Sequence, residues 1–281
     1  MKKILINFFY WGSKNSGIFR AAYNLIKELS KITEEEVYIL TSFPLDISSV
    51  NSLLYPKEYS KFLHFLKLQK IFYDVTKKIK PHLIFNPFHV GYFFNKKIPQ
   101  ICVVYDLVHI TTFKKRIPSF IYHKVFLKKL IDNCRLIITP SKFTKEELIS
   151  VFNINRDKIR IAHLAPDPVF KKLNLSKENF YLTLNPSFPY KNVDYIIKMW
   201  KILRVQDQLK IIGFREDFKN YINFLKKLVK KLNLEDKIIF YGEVNDETLI
   251  QLYNQAKALI SASLKEGFNL PPLEALACGT P

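Results

Sequence analysis

Residues 135–164 read RLIITPSKFTKEELISVFNINRDKIRIAHL and hold a strand, a helix and a second strand in one stretch. The apolar, β-branched runs at 135–141 and 158–164 have the composition of strands. The segment 142–152 between them predicts a helix, with Ser141 as its N-cap and Glu146 and Glu147 near its positive end. Such units pair their strands in parallel. This stretch therefore predicts an α/β fold whose parallel sheets are covered on both faces.

The same alternation continues on both sides. Further strands are predicted at 3–10, 37–42, 82–87, 101–106, 181–185, 209–213, 237–242 and 258–263, and further helices at 16–30, 193–203, 217–232 and 246–255. The alternation pauses at APDPVF (165–170) and the polar stretch after it. We therefore expect a first domain at 1–166, a linker at about 167–177 and a second domain at 178–281. The second domain has four predicted strands where a doubly wound sheet has about six, so we expect it to be partial and the chain to be truncated at its C-terminus.

Composition excludes several classes of protein. The chain has 281 residues, of which 48% are apolar and 25% charged, which excludes a disordered or collagen-like chain. Three cysteines, Cys102, Cys134 and Cys278, show no CxxC or Cys/His spacing, which argues against a disulfide framework or a zinc site. The start, MKKILINFFYW, favours a buried first strand over a signal peptide. No apolar stretch approaches the roughly 18 residues of a membrane span, so we expect a cytoplasmic protein.

Positive charge is concentrated in the first half. The net charge is +19; residues 1–165 hold 27 Lys+Arg against 12 Asp+Glu, and residues 166–281 hold 17 against 13. A basic half-molecule predicts a polyanionic partner, either an anionic membrane surface or nucleic acid. Nucleic acid is the weaker prediction, because the sequence has no zinc-finger, helix-turn-helix or RNA-recognition signature. The lysine-rich segment 55–80 predicts either an ordinary helix over a sheet or one that touches a membrane.

The chemistry is concentrated in residues 261–281, SASLKEGFNLPPLEALACGTP. A strand leads into a loop that carries Glu266, and Pro271 and Pro272 open a helix with Glu274 in its first turn. Amides at a helix start suit a diphosphate. Both carboxylates could accept hydrogen bonds from hydroxyls of one ligand. Two glutamates flanking a helix start are also common as caps or solvated charges, so the pair alone is a weak signal.

The full string resembles the motif EGFxLPxLEAxAxGxP of glycosyltransferase family 4, which closes the sugar-nucleotide site of that family. The resemblance implies retaining enzymes of the GT-B fold, with two Rossmann-like domains, parallel sheets and an interdomain cleft. It implies that Glu274 binds the ribose hydroxyls and Glu266 the transferred sugar. The loop residues implied to meet the sugar and diphosphate are Gly267, Phe268, Asn269 and Leu270.

Two other segments extend the resemblance. Residues 16–31 are similar to the first loop and helix of the family, which places Gly17 near the donor phosphate and the acceptor. Residues 186–197 are similar to the stretch that follows the first strand of the donor domain. There the Lys191-Asn192 pair is implied to bind the donor, and Lys191 to neutralise the departing diphosphate.

The sequence also departs from the family. Asn185-Pro186-Ser187 stands where the family usually has Gly-Arg, so a second phosphate cation is absent from that segment. Tyr105-Asp106-Leu107 stands where the family has His-Asp-Leu. Tyr105 and the nearby His109 are therefore our candidates for facing the reacting sugar, although a tyrosine is not a base at neutral pH.

The resemblance implies transfer of a sugar from a UDP-, GDP- or ADP-sugar to a hydroxyl of a glycan or lipid-linked acceptor, with retention at the anomeric carbon. We expect a role in surface polysaccharide or glycolipid synthesis, at the inner membrane face. No cofactor or metal is expected, because no Asp-x-Asp pair stands beside a strand end. The alternative is a truncated or degenerate, non-catalytic glycosyltransferase-like protein that binds a ligand or a partner.

Overall fold

A computed structural model describes residues 1–9, 16–55, 61–94, 97–111, 117–214 and 219–281. The chain divides into two compact units, Met1–Leu164 and Ala165–Pro281. The predicted linker at 167–177 lies inside the second unit. Each unit is described by itself below.

The first unit is built on a seven-stranded sheet in the order β3-β2-β1-β4-β5-β6-β7. All its pairings are parallel. The strands are β1 (Lys3–Phe8), β2 (Glu36–Thr41), β3 (Asn51–Leu54), β4 (Leu83–Asn86), β5 (Gln100–Val103), β6 (Cys134–Thr139) and β7 (Ile159–Ile161). The helices are α1 (Gly17–Ile32), α2 (Lys61–Ile79), α3 (Val108–Thr111), α4 (Ile117–Asn133) and α5 (Lys142–Phe152).

Helices cover both faces of this sheet, as the sequence predicts. On one face α1 buries Ala22 and Ile26 against strand residues such as Ile39. On the other face α2 buries Phe72 and Val75 against β1, β2 and β4. Within the lysine-rich segment, residues 61–79 therefore form a helix that covers a sheet, the first of the two interpretations offered for it, and residues 56–60 lie outside the described part.

The second unit repeats the plan with four parallel strands in the order β10-β9-β8-β11. The strands are β8 (Phe180–Leu184), β9 (Gln208–Ile212), β10 (Ile238–Phe240) and β11 (Ala258–Leu259). The helices are α6 (Val193–Ile202), α7 (Lys219–Lys231), α8 (Asp246–Gln255) and α9 (Leu270–Ala277). Helices α6 and α7 pack on one face, and α8 and α9 on the other. Parallel sheets covered on both faces confirm the predicted α/β class.

One strand was not predicted from the sequence, and several predicted strands are longer than the observed ones. The edge strand β3 (NSLL) is short and largely exposed, so it lacks the apolar run that marks the other strands. The predicted strand 258–263 ends at Leu259; the amide of Ile260 still donates to the carbonyl of Leu182 at 2.7 Å, after which the chain leaves the sheet. Likewise β5 ends at Val103, although Val104 and Tyr105 stay buried. Beyond β5 the apolar sequence continues because Val104 and Tyr105 belong to the core, whereas beyond β11 Ser261 is already exposed.

A buried network of side-chain amides lies at the carboxyl ends of β1 and β4. Asn7 donates to the side chain of Asn86 at 3.2 Å and to the carbonyl of Val90 at 2.7 Å. Asn86 in turn donates to Gln100 at 3.2 Å. Buried amides bonded in this way hold the loop after β4 in one conformation, because each lost bond would leave a desolvated polar group.

The three cysteines are free and buried: Cys102 and Cys134 in the first unit and Cys278 in the second. A hydrogen bond with Cys134 and burial raise the pKa of the Cys102 thiol. Burial also raises the pKa of Cys278. All three thiols therefore serve as small apolar core groups.

Among the helices described, none combines the length and apolar character needed to cross a bilayer.

Replacing Gly91 by alanine should destabilise the protein by about 2 kcal/mol, because an added methyl group overpacks a filled core. A Cβ at this position would press on Leu130 and stand 3.1 Å from the Asn86 amide, which the buried network holds in place. The free energy of unfolding from urea denaturation, followed by far-ultraviolet circular dichroism, measures the effect. Gly242→Ala is the matched control, since the nearest atom to its added Cβ is 4.0 Å away. Equal stability of the two variants would contradict the prediction.

Candidate functional site

A pocket opens at the carboxyl ends of β8 and β11, which lie next to each other in the sheet of the second unit. Its empty volume is about 280 Å³, part of it continuous with solvent. The strand ends contribute Thr183, Leu184, Leu259 and Ile260, and the remaining lining residues are Lys191, Ser261, Ala262, Ser263, Asn269 and Pro271. Ligands of open α/β sheets bind beyond the carboxyl ends of the strands. The pocket therefore brings predicted site residues Lys191 and Asn269 to the expected edge of the sheet.

Lys191 is positioned by a tight turn between β8 and α6. Residues Pro189–Lys191 form one turn of 3₁₀-helix. Asn192 then takes a left-handed conformation, with φ of 57°, and its amide donates to the carbonyl of Pro189 at 3.0 Å. Asparagine tolerates this conformation better than most residues do. The two residues of the predicted pair thus have different roles. Asn192 turns the chain into α6, and the ammonium group of Lys191 lies at the pocket.

An ion pair joins Lys191 to Glu266. Lys191 Nζ lies 2.5 Å from Glu266 Oε1, and the two side chains are 13% and 22% exposed. A backbone bond fastens the same two loops together, because the amide of Leu264 donates to the carbonyl of Tyr190 at 2.8 Å. The lysine implied to meet the diphosphate and the glutamate implied to meet the sugar are therefore direct neighbours, although 75 positions separate them in sequence.

Helix α9 presents backbone donors at its start. Asn269 is its N-cap, in a left-handed conformation with φ of 67°, and the Asn269 side chain donates to Ser261 Oγ at 3.0 Å. A helix supplies no internal partner for its first four N–H positions. Here the last two of these are Pro271 and Pro272, which carry no N–H. The donors that the helix start itself offers are thus those of Asn269 and Leu270, two of the predicted ligand amides.

Glu274 departs from the prediction in one respect. Because α9 begins at Leu270, Glu274 stands in the second turn of the helix and not in the first. Its side chain is buried, at 8% exposure, and its Oε2 accepts a hydrogen bond from the Tyr253 hydroxyl at 3.0 Å. It is not among the residues that line the pocket. In the loop before α9, Gly267 is buried and Phe268 is partly exposed.

The first-unit candidates lie in another part of the chain. Tyr105 is buried, at 4% exposure, in the core cluster around β1 and β4. Asp106 accepts a hydrogen bond from the amide of Val108 at 3.0 Å and so starts α3. His109 belongs to that helix, but its side chain lies outside the described part. Gly17 is the first residue of α1, whose N-cap Ser16 accepts from the amide of Phe19. The roles predicted for Tyr105, His109 and Gly17 remain predictions.

At Asn185-Pro186-Ser187, where the family has Gly-Arg, the backbone makes a sharp turn. Asn185 adopts a left-handed conformation, with φ of 55°, and its amide donates to the carbonyl of Ile212 at 2.8 Å. Asparagine can occupy a backbone position that favours glycine. The loop thus keeps a sharp turn without glycine, and what the substitution removes is the arginine cation.

Three hydroxyl residues of the pocket, Thr183, Ser261 and Ser263, were missed as site residues by the sequence analysis. Their position at the ends of predicted strands was the available signal, since strand ends gather at one edge of a parallel sheet. Tyr253 was also missed, because it lies within α8 and nothing in the helix pattern distinguishes it from an ordinary core aromatic.

Over the described ranges, no three His, Cys, Asp or Glu side chains gather where they could hold a metal ion.

Two family models together match residues 15–281 of the chain. The model described as Glycosyltransferase Family 4 matches residues 15–169, which is more than half of the chain. The model described as Glycosyl transferases group 1 matches residues 167–281 and so includes the pocket.

Two similar proteins act on O-antigen chains according to their names. An O-antigen chain mannosyltransferase of Salmonella typhimurium, RfbU, is 34% identical over 57% of this chain, which spans 45% of that protein. An O-antigen chain mannosyltransferase of Escherichia coli is 25% identical over 95% of this chain, which spans 77% of that protein. The chain thus spans less than half of the first of these relatives.

Solved structures share the fold at low sequence identity. The sucrose-phosphate synthase of Thermosynechococcus elongatus matches all of this chain and 80% of its own, with a TM-score of 0.74 and 18% identity. Anabaena HepE, solved with UDP and glucose, matches all of this chain and 80% of its own, with a TM-score of 0.72 and 13% identity. These similarities confirm the GT-B fold predicted from the sequence.

Proposed function

The chain belongs to glycosyltransferase family 4, and we propose that it transfers a hexose from a nucleoside diphosphate sugar to a hydroxyl of a glycan or lipid-linked acceptor. The observation that carries this proposal is the Lys191–Glu266 ion pair beside the start of α9, which places a cation, a carboxylate and backbone donors at one pocket. The O-antigen mannosyltransferases among the similar proteins support a role in surface polysaccharide or glycolipid synthesis. The structures of HepE with UDP and with UDP-glucose support a nucleotide-sugar donor.

The proposed reaction breaks the bond between the anomeric carbon and the diphosphate oxygen. The bond to the acceptor oxygen forms on the same face of the sugar, so the configuration is retained. The acceptor proton passes to the leaving phosphate oxygen, and the reaction needs no strong protein base. This route is compatible with a tyrosine, Tyr105, at the position where the family has histidine.

Each site residue has a role in this proposal. Lys191 and the amides of Asn269 and Leu270 stabilise the negative charge that develops on the diphosphate. Glu266 accepts hydrogen bonds from sugar hydroxyls and Glu274 from ribose hydroxyls. Because fixed protein donors and a lysine carry the leaving-group charge, we propose that no metal ion is required.

Lys191→Ala and Glu274→Ala should each reduce turnover by about a hundredfold or more, because each removes a group that contacts the donor. Release of nucleoside diphosphate is measured with UDP-, GDP- and ADP-sugars and a membrane extract as acceptor source. Wild-type turnover should be unchanged in EDTA.

Lys201→Ala is the matched control, an exposed lysine at the end of α6. Full activity of either site variant would contradict the placement of the donor. Nucleotide binding by the wild type without any turnover would support the non-catalytic alternative.

Glu266→Gln should change binding and turnover in opposite directions. Glu266 forms an ion pair with Lys191, so an incoming diphosphate would compete with this carboxylate. Removing the negative charge should tighten binding of the nucleoside diphosphate by about threefold, in line with a partly exposed pair. Turnover should fall more than about tenfold, since a sugar contact made in the transition state is lost. Isothermal titration calorimetry and initial rates measure the two effects.

The matched control for this change is Glu178→Gln, which alters a glutamate 3.9 Å from Lys210 on another part of the same unit. A loss of both nucleotide affinity and turnover in Glu266→Gln would overturn the competition between Glu266 and the diphosphate.

We also propose that the first unit docks on an anionic membrane surface, where a lipid-linked acceptor would lie. Phe94 and Val125 are 65% and 55% exposed, and Lys129 Nζ lies 4.7 Å from the Phe94 ring centroid. Val125 and Lys129 are one helical turn apart on α4, so they share a face. Exposed apolar groups beside lysines suit the interface of a membrane with anionic headgroups.

Lys129→Gln should weaken binding to phosphatidylglycerol vesicles at low salt by about fivefold, because each basic residue near such a surface contributes about 1 kcal/mol. Vesicle co-sedimentation measures this binding, with neutral phosphatidylcholine vesicles as the reference. The same charge change at Lys201, in the second unit, should leave binding unchanged. Equal binding of wild type to both vesicle types would remove the proposal.

A further inference from the structure

The Glu274 carboxylate is held in one orientation. The side chain is 8% exposed, and its Oε2 accepts a hydrogen bond of 3.0 Å from the Tyr253 hydroxyl. An ionised carboxylate only accepts hydrogen bonds, through two oxygens that lie in one plane. A donor fixed on one oxygen therefore also fixes the direction in which the lone pairs of the other oxygen point.

Tyr253 is itself immobile. Its side chain is fully buried, and its ring packs edge-on against Phe170, with ring centroids 5.9 Å apart. Its carbonyl accepts a hydrogen bond from the Thr280 hydroxyl. The neighbouring Asn254 side chain anchors α8 by donating to the carbonyl of Lys171 at 3.1 Å and accepting from the amide of Leu173 at 2.6 Å. Packing and backbone contacts on several sides thus lock the rotamer of Tyr253.

We propose that Tyr253 is a positioning residue for the donor: its hydroxyl orients the Glu274 carboxylate toward the ribose hydroxyls of a nucleoside diphosphate. This inference rests on the proposed function, in which Glu274 binds the ribose. A binding group keeps its geometry only when a supporting shell locks it, and the Tyr253 hydroxyl donates such a supporting hydrogen bond to this carboxylate. If the Tyr253 hydroxyl only satisfied a buried carboxylate, its removal would lower stability. It would not change the relative affinities for nucleotides with and without ribose hydroxyls.

The test compares each nucleotide with its analogue that lacks the ribose hydroxyls. Dissociation constants are measured for UDP, GDP and ADP and for their 2′,3′-dideoxy counterparts, on wild type and on Tyr253→Phe. The ratio of the two constants reports how well the ribose hydroxyls are recognised. Because both nucleotides are measured on one preparation, a loss of folded protein cancels in this ratio.

Tyr253→Phe should lower the preference for the ribonucleotide by about tenfold, the lower end of what is expected for a hydrogen bond to a charged group. Its affinity for the dideoxy analogue should match that of wild type. In a Glu274→Ala background the same substitution should leave the ratio unchanged, since the side-chain oxygen that accepts from Tyr253 is gone.

Tyr221→Phe is a matched control within the same unit. The Tyr221 hydroxyl donates to Asp194 Oδ1 at 3.0 Å, the same bond type and length, but between α7 and α6. It should lower thermal stability to a similar extent and leave the ribose preference unchanged.

Two results would overturn the inference in different ways. A wild-type preference for the ribonucleotide that persists in full in Tyr253→Phe would overturn the role of Tyr253 and leave the proposed function standing. A wild type that binds none of the three nucleotides, or binds them without regard to the ribose hydroxyls, would overturn the assignment of Glu274 and the inference together.

Discussion

The parallel pairing of β8 with β11 is the constraint on which the site depends. The register places Leu182 opposite Leu259 and lets both strands end at the same edge of the sheet. Parallel strands direct their carboxyl ends, and the loops that follow, to one side. Residues 191 and 266 are brought together there, where the Lys191–Glu266 ion pair and the bond from Leu264 to Tyr190 join the two loops. An antiparallel arrangement would send these loops to opposite ends of the unit.

A second effect of this arrangement is electrostatic. A lysine whose side chain is only 13% exposed would be costly to desolvate without a counter-charge, and Glu266 offsets that cost. The same carboxylate stands where negative charge would disfavour an incoming phosphate. In the proposed function, the pocket would therefore select an anion strong enough to displace a carboxylate, as a diphosphate with several charged oxygens is.

Much of the fold followed from the sequence, because strand and helix periodicities are local signals. The βαβ unit at 135–164 and the helix over 246–255 were identified in this way, whereas the motif at 261–281 was identified by its resemblance to glycosyltransferase family 4. The edge strand β3 was missed, because its exposed residues lack an apolar pattern. The hydrogen bond between Tyr253 and Glu274 could not be predicted either. It joins residues 21 positions apart on two helices and depends on how α8 and α9 pack. The ion pair of Lys191 with Glu266 depends in the same way on long-range register.

The placement of the three thiols allows the two units to be followed separately. Cys102 and Cys134 lie in the core of the first unit and Cys278 in that of the second. A buried thiol reacts slowly with alkylating reagents, because its modification requires the surrounding core to open. The rate of alkylation at each cysteine, resolved by peptide mass, therefore reports the local opening free energy of its own unit. The three cysteines thus report whether the two units unfold together or one after the other.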